Sequence, residues 1–216
     1  MVRVKVCCIA DRVEARVAID RGASAVGLVS AMPTGPGVLD EATIADVAAS
    51  IPPGVASFLL TSEQRADAIQ RQQRRCGTDT VQIVDRLEVG THADLRAAMP
   101  GIRVVQVVHV TGPESLDEAR DLAPSVDALL LDSGNPSLAA KELGGTGRVH
   151  DWDVSRRIVG SVEVPVFLAG GLRPDNVAAA IAAVRPYGVD VCSGVRSDGR
   201  LDPVRLEGFM AAVAAA

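Results

Sequence analysis

Short runs of apolar, mostly β-branched residues alternate along the chain with alanine-rich stretches whose charged residues recur at helical spacing. Each apolar run is nearly continuous, which is typical of parallel strands that are covered on both faces. The alternation predicts a succession of strand-helix units. The predicted strands are residues 3–9, 25–30, 56–60, 80–84, 103–109, 128–132, 164–169 and 188–193. The predicted helices are residues 11–21, 40–50, 62–76, 91–99, 113–122, 151–159, 174–184 and 202–215.

Eight strands, each followed by a helix, predict an α/β fold, namely a single (β/α)8 TIM barrel with short loops. The chain of 216 residues is compact for this fold, and no linker divides it, so residues 1–216 are predicted to form one domain. Two longer segments, 33–37 and 133–147, follow the second and sixth strands. In a barrel both project from the carboxyl ends of the strands, where functional residues usually lie.

The composition excludes several classes of protein. Apolar residues make up 48% of the chain and charged residues 23%, as in a globular protein, and 27 acidic residues against 22 basic ones give a net charge of −5. That sign is wrong for a protein that neutralises phosphate backbones, and no apolar run reaches the roughly 20 residues of a membrane helix. We therefore expect neither a nucleic acid nor a membrane as partner.

The cysteines indicate a cellular compartment. Cys7, Cys8, Cys76 and Cys192 include no Cys-x-x-Cys pair, and a chain of this size needs no disulfide bonds. Charged residues interrupt the apolar start of the chain, so no secretory signal is evident. We expect a cytoplasmic protein.

Two glycine-rich turns follow the last two predicted strands. One is V-F-L-A-G-G-L over residues 166–172, ahead of a helix predicted to hold Pro174 in its first turn, and the other is V-D-V-C-S-G-V over residues 189–195. Glycine lets exposed backbone amides approach an anion closely. Because the seventh and eighth loops of a barrel are neighbours and frequently bind phosphate, the pair predicts a phosphate site.

Further motifs stand in order along the chain. They are Lys5-Val6-Cys7-Cys8-Ile9-Ala10, Gly22-Ala23-Ser24-Ala25-Val26-Gly27, Leu129-Leu130-Leu131-Asp132, Gly144-Gly145-Thr146-Gly147-Arg148-Val149-His150-Asp151-Trp152, Leu168-Ala169-Gly170-Gly171-Leu172 with Asn176-Val177, and Gly188-Val189-Asp190-Val191-Cys192-Ser193-Gly194-Val195. Together they resemble the phosphoribosylanthranilate isomerases, the small (β/α)8 enzymes of tryptophan synthesis, which open with Lys-Ile-Cys-Gly-Ile-Thr.

The resemblance implies an Amadori rearrangement without a cofactor, in which an N-linked aminoaldose phosphate opens its ring and becomes an aminoketose. Cys7 matches the family's general base, which removes the proton at sugar C2, and Asp132 matches its general acid, which protonates the ring oxygen. The expected phosphate-binding residues are Gly145, Gly147, Gly170, Gly171, Ser193 and Gly194, and the other substrate-binding residues are Lys5, Arg148 and Asp190. The expected partner is a small-molecule sugar phosphate, and the expected assembly a monomer or a homodimer.

The chemistry assigned to Cys7 needs support from its surroundings. A free cysteine has a pKa of about 8.5, so the thiolate is a minor species near neutral pH. Lys5 lies two residues earlier, on the same face of a strand, and its positive charge would stabilise the thiolate. On the residues alone, the alternative is a buried structural Cys7 and an Asp132 that caps a loop.

The chain departs from the family pattern around one end of the expected substrate. After the second strand the family carries Ser-Pro-Arg-Tyr-Val, whose arginine pairs with the anthranilate carboxylate, whereas this chain has Thr34-Gly35-Pro36-Gly37-Val38. Candidates for a replacement cation, by loop position, are Arg12, Arg148, Arg173 and Arg196. The family's Gln-Leu-His-Gly on the fourth strand becomes Gln82-Ile83-Val84-Asp85, Cys8 fills a usual glycine, and His150 stands for a usual phenylalanine.

Two alternatives to an anthranilate substrate follow from these departures. One is a paralogous isomerase that acts on a different amino-sugar or ribosyl phosphate. The other is a non-catalytic sugar-phosphate-binding protein, against which the retention of both Cys7 and Asp132 argues. His92 and His109 lack partners at ligand spacing, so no metal is predicted.

Overall fold

The computed structural model describes residues 1–134, 143 and 149–216, and in them eight parallel strands close into a barrel. The strands follow one another around the barrel in chain order, and the eighth pairs with the first. They are β1 (Arg3–Val6), β2 (Ala25–Val29), β3 (Ala56–Thr61), β4 (Thr80–Ile83), β5 (Arg103–His109), β6 (Ala128–Asp132), β7 (Val166–Leu168) and β8 (Gly188–Val191). The predicted (β/α)8 barrel is confirmed.

Helices cover the outside of the barrel. They are α1 (Arg12–Asp20), α2 (Glu41–Ala48), α3 (Ala66–Cys76), α4 (His92–Ala98), α5 (Ser115–Leu122), α6 (Trp152–Val159), α7 (Val177–Val184) and α8 (Pro203–Ala214). After β8 come a short 3-10 turn, Ser193–Val195, and a small antiparallel pair that the hydrophobic pattern did not predict, β9 (Arg196–Ser197) and β10 (Arg200–Leu201). In the described part of the chain, no helix is long and apolar enough to cross a membrane.

Aspartate side chains start several of the helices. Asp11, Asp40, Asp151 and Asp202 each accept hydrogen bonds from backbone N–H groups in the first turn of α1, α2, α6 and α8. Those N–H groups have no partner within the helix, so a capping side chain typically contributes about 1 kcal/mol. Each of these aspartates lies between a strand and the helix that it caps. The caps therefore also fix the point at which each helix begins on the outside of the barrel.

Two apolar clusters hold the fold together. The larger one fills the space between the barrel and the helices, with fully buried residues such as Leu28, Leu59, Ile69, Leu129 and Phe209. The smaller cluster lies inside the barrel and includes Phe58, Leu60, Leu130 and Phe167, together with Cys7 and Cys8. Burial on both faces explains why the strands read as continuous apolar runs.

The observed elements differ from the predicted ones mainly at their ends. β1 stops at Val6 rather than at residue 9, because Cys8 adopts a left-handed backbone with φ of +61° while Cys7 to Ile9 remain buried, which keeps the apolar pattern running. The placement of Pro174 in the first turn of a helix was wrong. Residues 174–176 form a turn, in which Arg173 N–H donates to Asn176 Oδ1 at 2.7 Å, and α7 begins at Val177.

Candidate active site

A cleft opens at the carboxyl ends of the barrel strands, with about 680 Å³ of empty space that includes its opening to solvent. Its lining includes Cys7 after β1, Asp132 at the end of β6, Asp190 on β8, and the turn residues Gly170, Gly171 and Ser193. The structure therefore brings together most of the described residues that the sequence assigned to catalysis and to phosphate. The other lining residues are Cys8, Val29, Met32, Thr34, Gly35, Pro36, Leu60, Gln82, Val84, Leu143, Ala169, Leu172 and Cys192.

Some predicted site residues lie elsewhere. Lys5 is fully buried beneath the cavity and does not line it, and Gly194 is buried behind Ser193. The predicted contact between Lys5 and the substrate does not fit this geometry. Gly145, Gly147 and Arg148 lie outside the described residues.

Lys5 and Asp190 form a buried ion pair in the floor of the site. They stand opposite each other in the register of β1 and β8, and Lys5 Nζ lies 2.9 Å from Asp190 Oδ1. Burial lowers the pKa of Lys5, but the charge and hydrogen bond of Asp190, together with the charges of Cys7 and Cys8, outweigh it, so the pKa of Lys5 lies above its ordinary value. Burial also raises the pKa of Asp190, and the ammonium of Lys5 opposes that rise. The short separation favours the charged pair.

A glycine on the neighbouring strand makes room for this floor. A β-carbon at Gly27 would lie 2.8 Å from Cys7 Sγ and 3.0 Å from Lys5 Nζ. Both distances are below ordinary van der Waals contact, so any side chain at this position would displace the thiol or the ammonium. Lys5 Nζ also lies 5.3 Å from the centre of the Phe58 ring, whose negative face attracts a cation. Gly27 and Phe58 thus hold the ammonium beneath Cys7.

The surroundings of Cys7 favour its thiolate. A hydrogen bond from the Cys8 thiol and the positive charge of Lys5 lower the pKa of Cys7, although burial and the charge of Asp190 act in the opposite direction. The backbone N–H of Cys7 donates to Val191 O at 2.8 Å, which fixes the residue against β8. The interaction with Lys5 agrees with the support that the sequence predicted for this thiol.

The surroundings of Asp132 favour its protonated acid. Burial raises the pKa of Asp132, and the negative charge of Asp190 adds to that rise. The N–H of Ser133, which donates to Asp132 Oδ1 at 2.7 Å, and the nearby His109 and Lys5 only partly offset it. Two titratable groups of one cavity therefore have pKa values shifted in opposite directions, as a base and an acid require.

The turns after β7 and β8 pack directly on each other. Gly170 and Gly171 have left-handed φ angles of +83° and +61°, which glycine adopts without strain. A β-carbon at Gly194 would lie 2.0 Å from Leu172 O, so only glycine allows the two turns to approach so closely. Gly171 O accepts a hydrogen bond of 3.0 Å from Asn176 Nδ2, which anchors the first turn to the start of α7.

His150 supports the glycine turn from behind. Its Nε2 lies 2.7 Å from Ser155 Oγ, and a β-carbon at Gly170 would lie 2.9 Å from its Nδ1. Burial lowers the pKa of His150 to about 4, against a small opposing effect of Asp151. The imidazole is therefore neutral near pH 7 and packs as an uncharged ring.

The side of the cavity formed by β2, β3 and β4 is mostly apolar. Val29, Met32, Leu60 and Val84 line it, and Gln82 is its main buried polar group. Gln82 Oε1 is buried and has no hydrogen-bond partner within the described residues. Gln82 is not among the predicted site residues, although a glutamine within the buried strand Thr80–Ile83 could have indicated it.

No arginine of the described residues lines the cavity. Arg12 pairs with Asp46 on the surface, and Arg173 pairs with Asp175 at 3.1 Å. Arg196 is nearly buried, pairs with Glu14 at 2.8 Å and donates to Cys8 O. These three candidates for the replacement cation therefore have other partners, and the fourth, Arg148, lies outside the described residues.

Gly37 cannot easily carry the missing cation. Its φ is +75°, and a β-carbon there would lie 2.7 Å from the β-carbon of Cys8. A side chain would need a strained backbone and would displace Cys8. Pro36, by contrast, is exposed and lines the cavity, so it is the better position for an introduced arginine.

Two histidines that do not line the cavity each make a hydrogen bond. His92 Nε2 lies 3.0 Å from Gln106 Oε1, and His109 Nε2 lies 2.9 Å from Val84 O. Within residues 1–134, 143 and 149–216, no group of three or more histidine, cysteine, aspartate or glutamate side chains could hold a metal ion.

Comparison with known proteins gives a consistent result. The family model described as N-(5'-phosphoribosyl)anthranilate (PRA) isomerase matches residues 4–212. A protein of Haloferax volcanii named N-(5'-phosphoribosyl)anthranilate isomerase is 40% identical over 214 residues, which cover 98% of this chain and 93% of that protein. The crystal structure of phosphoribosyl anthranilate isomerase from Thermotoga maritima has a TM-score of 0.84 and 26% identity, with 100% of each chain covered.

A further solved structure shares the fold. It is described as phosphoribosyl anthranilate isomerase in complex with reduced 1-(o-carboxyphenylamino)-1-deoxyribulose 5-phosphate, and it has a TM-score of 0.81 and 24% identity, with 100% of each chain covered.

Proposed function

The chain belongs to the phosphoribosylanthranilate isomerase family, and from that membership we infer that it isomerises N-(5-phosphoribosyl)anthranilate to the corresponding 1-deoxyribulose 5-phosphate. The observation that carries the assignment of residues is the opposite shift of two pKa values in one cavity, lowered at Cys7 and raised at Asp132. Opposed shifts in a shared site are the usual mark of an acid and base pair.

Asp132 is the general acid of the proposed mechanism. Its carboxyl group, whose protonated form is favoured by burial, donates a proton to the ring oxygen of the ribose as the C1–O bond breaks. The nitrogen lone pair forms the C1–N double bond that replaces the lost bond. The product of this step is an open-chain iminium ion with a hydroxyl group at C4.

Cys7 is the general base of the next step. Its thiolate removes the proton at C2 of the sugar, the electron pair of the C–H bond forms the C1–C2 double bond, and the iminium nitrogen recovers its lone pair. The resulting enol then becomes the aminoketose by transfer of the hydroxyl proton to C1. Lys5 does not touch the substrate in this scheme, but its charge stabilises the thiolate of Cys7.

The phosphate group is proposed to bind between the two glycine turns. Gly170 and Gly171 on one side and Ser193 on the other line the same end of the cavity, and the packing of Gly194 on Leu172 holds them together. Glycine turns expose backbone amides, which suit a dianion. Gly145, Gly147 and Arg148 remain predicted contributors from the loop after β6.

The two alternative functions are not favoured. The match extends over residues 4–212 of this chain, and relatives that carry the same name are 34–40% identical to it. A non-catalytic binding protein would have no need of a buried acid and a thiolate in one cavity.

The proposed function extends to the location and the assembly of the enzyme. We propose a cytoplasmic location, which the four free cysteines support because a reducing compartment keeps thiols reduced. We propose a monomer or a homodimer that needs no cofactor and binds no nucleic acid. Light scattering of the purified protein tests the assembly.

The decisive experiment measures turnover of N-(5-phosphoribosyl)anthranilate by the purified chain and by two variants, Cys7→Ser and Asp132→Asn. Each variant should lower kcat by about 100- to 10,000-fold, because positioned acid and base groups contribute that much to a rate. Cys76→Ser is the matched control, since Cys76 is buried at the end of α3 and outside the cavity.

Thermal unfolding separates catalysis from packing. The proposal expects the two catalytic variants to unfold close to the parent temperature. Variants that lose activity and folding in equal measure would support a structural role for Cys7 and Asp132, and a parent chain without turnover of this substrate would overturn the function itself.

A further inference from the structure

Three of the four cysteines meet at the mouth of the cavity. Cys7 and Cys8 follow β1, Cys192 follows β8, and all three line the cavity. The two strands are neighbours in the barrel, with Val6 opposite Val191 in their register. The cysteines therefore continue side by side from the ends of adjacent strands. The proposed isomerisation uses only Cys7.

The backbone at Cys8 brings its thiol to Cys192. Cys8 has a left-handed φ of +61°, a conformation that favours glycine, and it is held there by Arg196, which donates to Cys8 O and pairs with Glu14. In this conformation the Cys8 thiol interacts with the thiols of both Cys192 and Cys7. A strained cysteine is thus fixed beside a thiol that follows the neighbouring strand.

The space around Cys8 is kept open by Gly37. A β-carbon at Gly37 would lie 2.7 Å from the β-carbon of Cys8, so the loop after β2 can pass this close to Cys8 only because Gly37 has no side chain. Cys8 itself is 5% exposed, whereas Cys192 is partly exposed and lines the cavity opening. A small molecule in the cavity therefore meets Cys192 first.

We propose that Cys8 and Cys192 form an oxidation site, at which a hydroperoxide converts the two thiols into a disulfide bond beside Cys7. The site rests on the arrangement of the thiols and does not depend on the proposed isomerase function. The disulfide bond would make the structure of the active-site mouth depend on the redox state of the surroundings.

The chemistry proceeds in two balanced steps. The sulfur of Cys192 attacks one oxygen of the hydroperoxide, the O–O bond breaks, and the thiol proton leaves with the second oxygen, so that Cys192 becomes a sulfenic acid. The sulfur of Cys8 then attacks the sulfenic sulfur, the S–S bond forms, and the S–O bond breaks. The departing oxygen takes the proton of Cys8 and leaves as water.

Cys192 is oxidised before Cys8 for a physical reason. Hydrogen bonds to the Cys192 and Cys7 thiols and burial hold the pKa of Cys8 well above its usual value, which makes Cys8 a poor nucleophile toward a peroxide. A bond between Cys7 and Cys8 is disfavoured, because adjacent residues can close a disulfide only by distorting the peptide between them. Cys8 and Cys192 have no such restriction, since they follow different strands.

The test is peptide mapping by mass spectrometry after the purified protein is treated with hydrogen peroxide and its remaining thiols are alkylated. The expected product has lost the mass of two hydrogen atoms and contains a cross-link between the peptide of Cys7 and Cys8 and the peptide of Cys192. Cys7→Ser should keep the cross-link, and Cys8→Gly, which suits the left-handed backbone, should lose it. Cys76→Ser should leave it unchanged.

Several outcomes would overturn the proposal. They are no cross-link in the parent chain, a cross-link that survives in Cys8→Gly but disappears in Cys7→Ser, and a disulfide within the Cys7–Cys8 peptide. Cys192→Ser gives an independent check, because it should also remove the cross-link while Cys8 remains in place.

A second measurement asks what the disulfide does. The oxidised parent protein should lose isomerase turnover, because the new bond ties the ends of β1 and β8 together next to Cys7, and dithiothreitol should restore it. Since the cross-link is detected by mass, a protein that forms it but never turns over phosphoribosylanthranilate refutes the proposed function and leaves the oxidation site standing.

Discussion

The two sides of the cavity are built from different kinds of interaction. On the side of β1, β6 and β8, buried titratable groups set one another's charge: Lys5 pairs with Asp190, and both act on Cys7 and Asp132. On the side of β2, β3 and β4, the lining is apolar apart from Gln82 and the loop after β2.

This difference teaches where the molecule tolerates change. A buried charge that loses its partner carries the full cost of its desolvation, so single substitutions on the charged side should be severe. Apolar and uncharged side chains make many weak contacts, so substitutions on the other side should be mild and should act on substrate choice.

The largest expected effect is at the ion pair. Asp190→Asn leaves the ammonium of Lys5 buried without its carboxylate partner, and the free energy of unfolding should fall by about 3–5 kcal/mol. Urea unfolding at neutral pH measures it. Adding Lys5→Met to this variant should restore much of the stability, because no charge is then buried. If the double variant is no more stable than the single one, the pair does not account for the loss.

The second prediction concerns His150 and the pH dependence of the free energy of unfolding. Its pKa is about 4 in the folded protein and near 6.5 when unfolded, so the unfolded state binds more protons between these values. This contribution to stability is present above pH 6.5, is lost as the pH falls, and is fully lost near pH 4; it amounts to about 3 kcal/mol at most. Unfolding free energies measured from pH 7.5 to 4 should therefore decline less steeply in His150→Phe than in the parent.

His150→Asn provides the control for that measurement. It removes the imidazole without adding an aromatic ring, so it should show the same shallower decline if titration of His150 is the cause. Parallel curves for all three proteins would contradict the prediction.

The third prediction adds a positive charge to the apolar side of the cavity. Pro36→Arg places a guanidinium at the exposed rim where no described arginine lies, and a charge-assisted contact of about 1.5–3 kcal/mol with the anthranilate carboxylate should raise kcat/KM by about 10- to 100-fold. Steady-state kinetics measure it, with Pro36→Gln as the uncharged control.

The neighbouring position should behave differently. Gly37→Arg should lower stability instead of improving catalysis, because its backbone is left-handed and its side chain would displace Cys8. No gain from Pro36→Arg in an enzyme that is already efficient would show that the carboxylate is held by another group.

The smallest expected effect is at Gln82. Its Oε1 is a buried acceptor without a partner among the described residues, so Gln82→Met should leave the free energy of unfolding unchanged or raise it by about 1 kcal/mol. If this oxygen accepts a hydrogen bond from the substrate, KM should rise at the same time. An unchanged KM would mean that Gln82 does not hydrogen-bond to the substrate and only fills space in the cavity wall.

Much of this molecule could be predicted because its pattern is local. The apolar strands, the alanine-rich helices and the glycine turns at Gly170 and Ser193 each follow from a few consecutive residues, and the barrel follows from their order. The assignments of Cys7 and Asp132 came instead from a resemblance, since a lone thiol and a lone carboxylate carry little information by themselves. Their roles remain predictions.

The missed features depend on residues that are far apart in the sequence. The pairing of Lys5 with Asp190 needs the closed register of β1 and β8, and the contact of Gly37 with Cys8 needs the path of a loop. The end of β1 was misjudged because burial continues past the point where the backbone turns at Cys8. Arg196 was considered a ligand for a carboxylate, but its pairing with Glu14 joins elements from opposite ends of the chain.

The ion pair in the floor also sets an order of events during synthesis. Lys5 emerges from the ribosome with the first strand, whereas its partner Asp190 is made with the last. Until then the ammonium lacks its ion-pair partner, and β1 cannot settle inside the barrel without a large desolvation cost. Closure of the ring is therefore a late event, and we expect nascent chains that end before Asp190 to leave their first strand accessible to proteases.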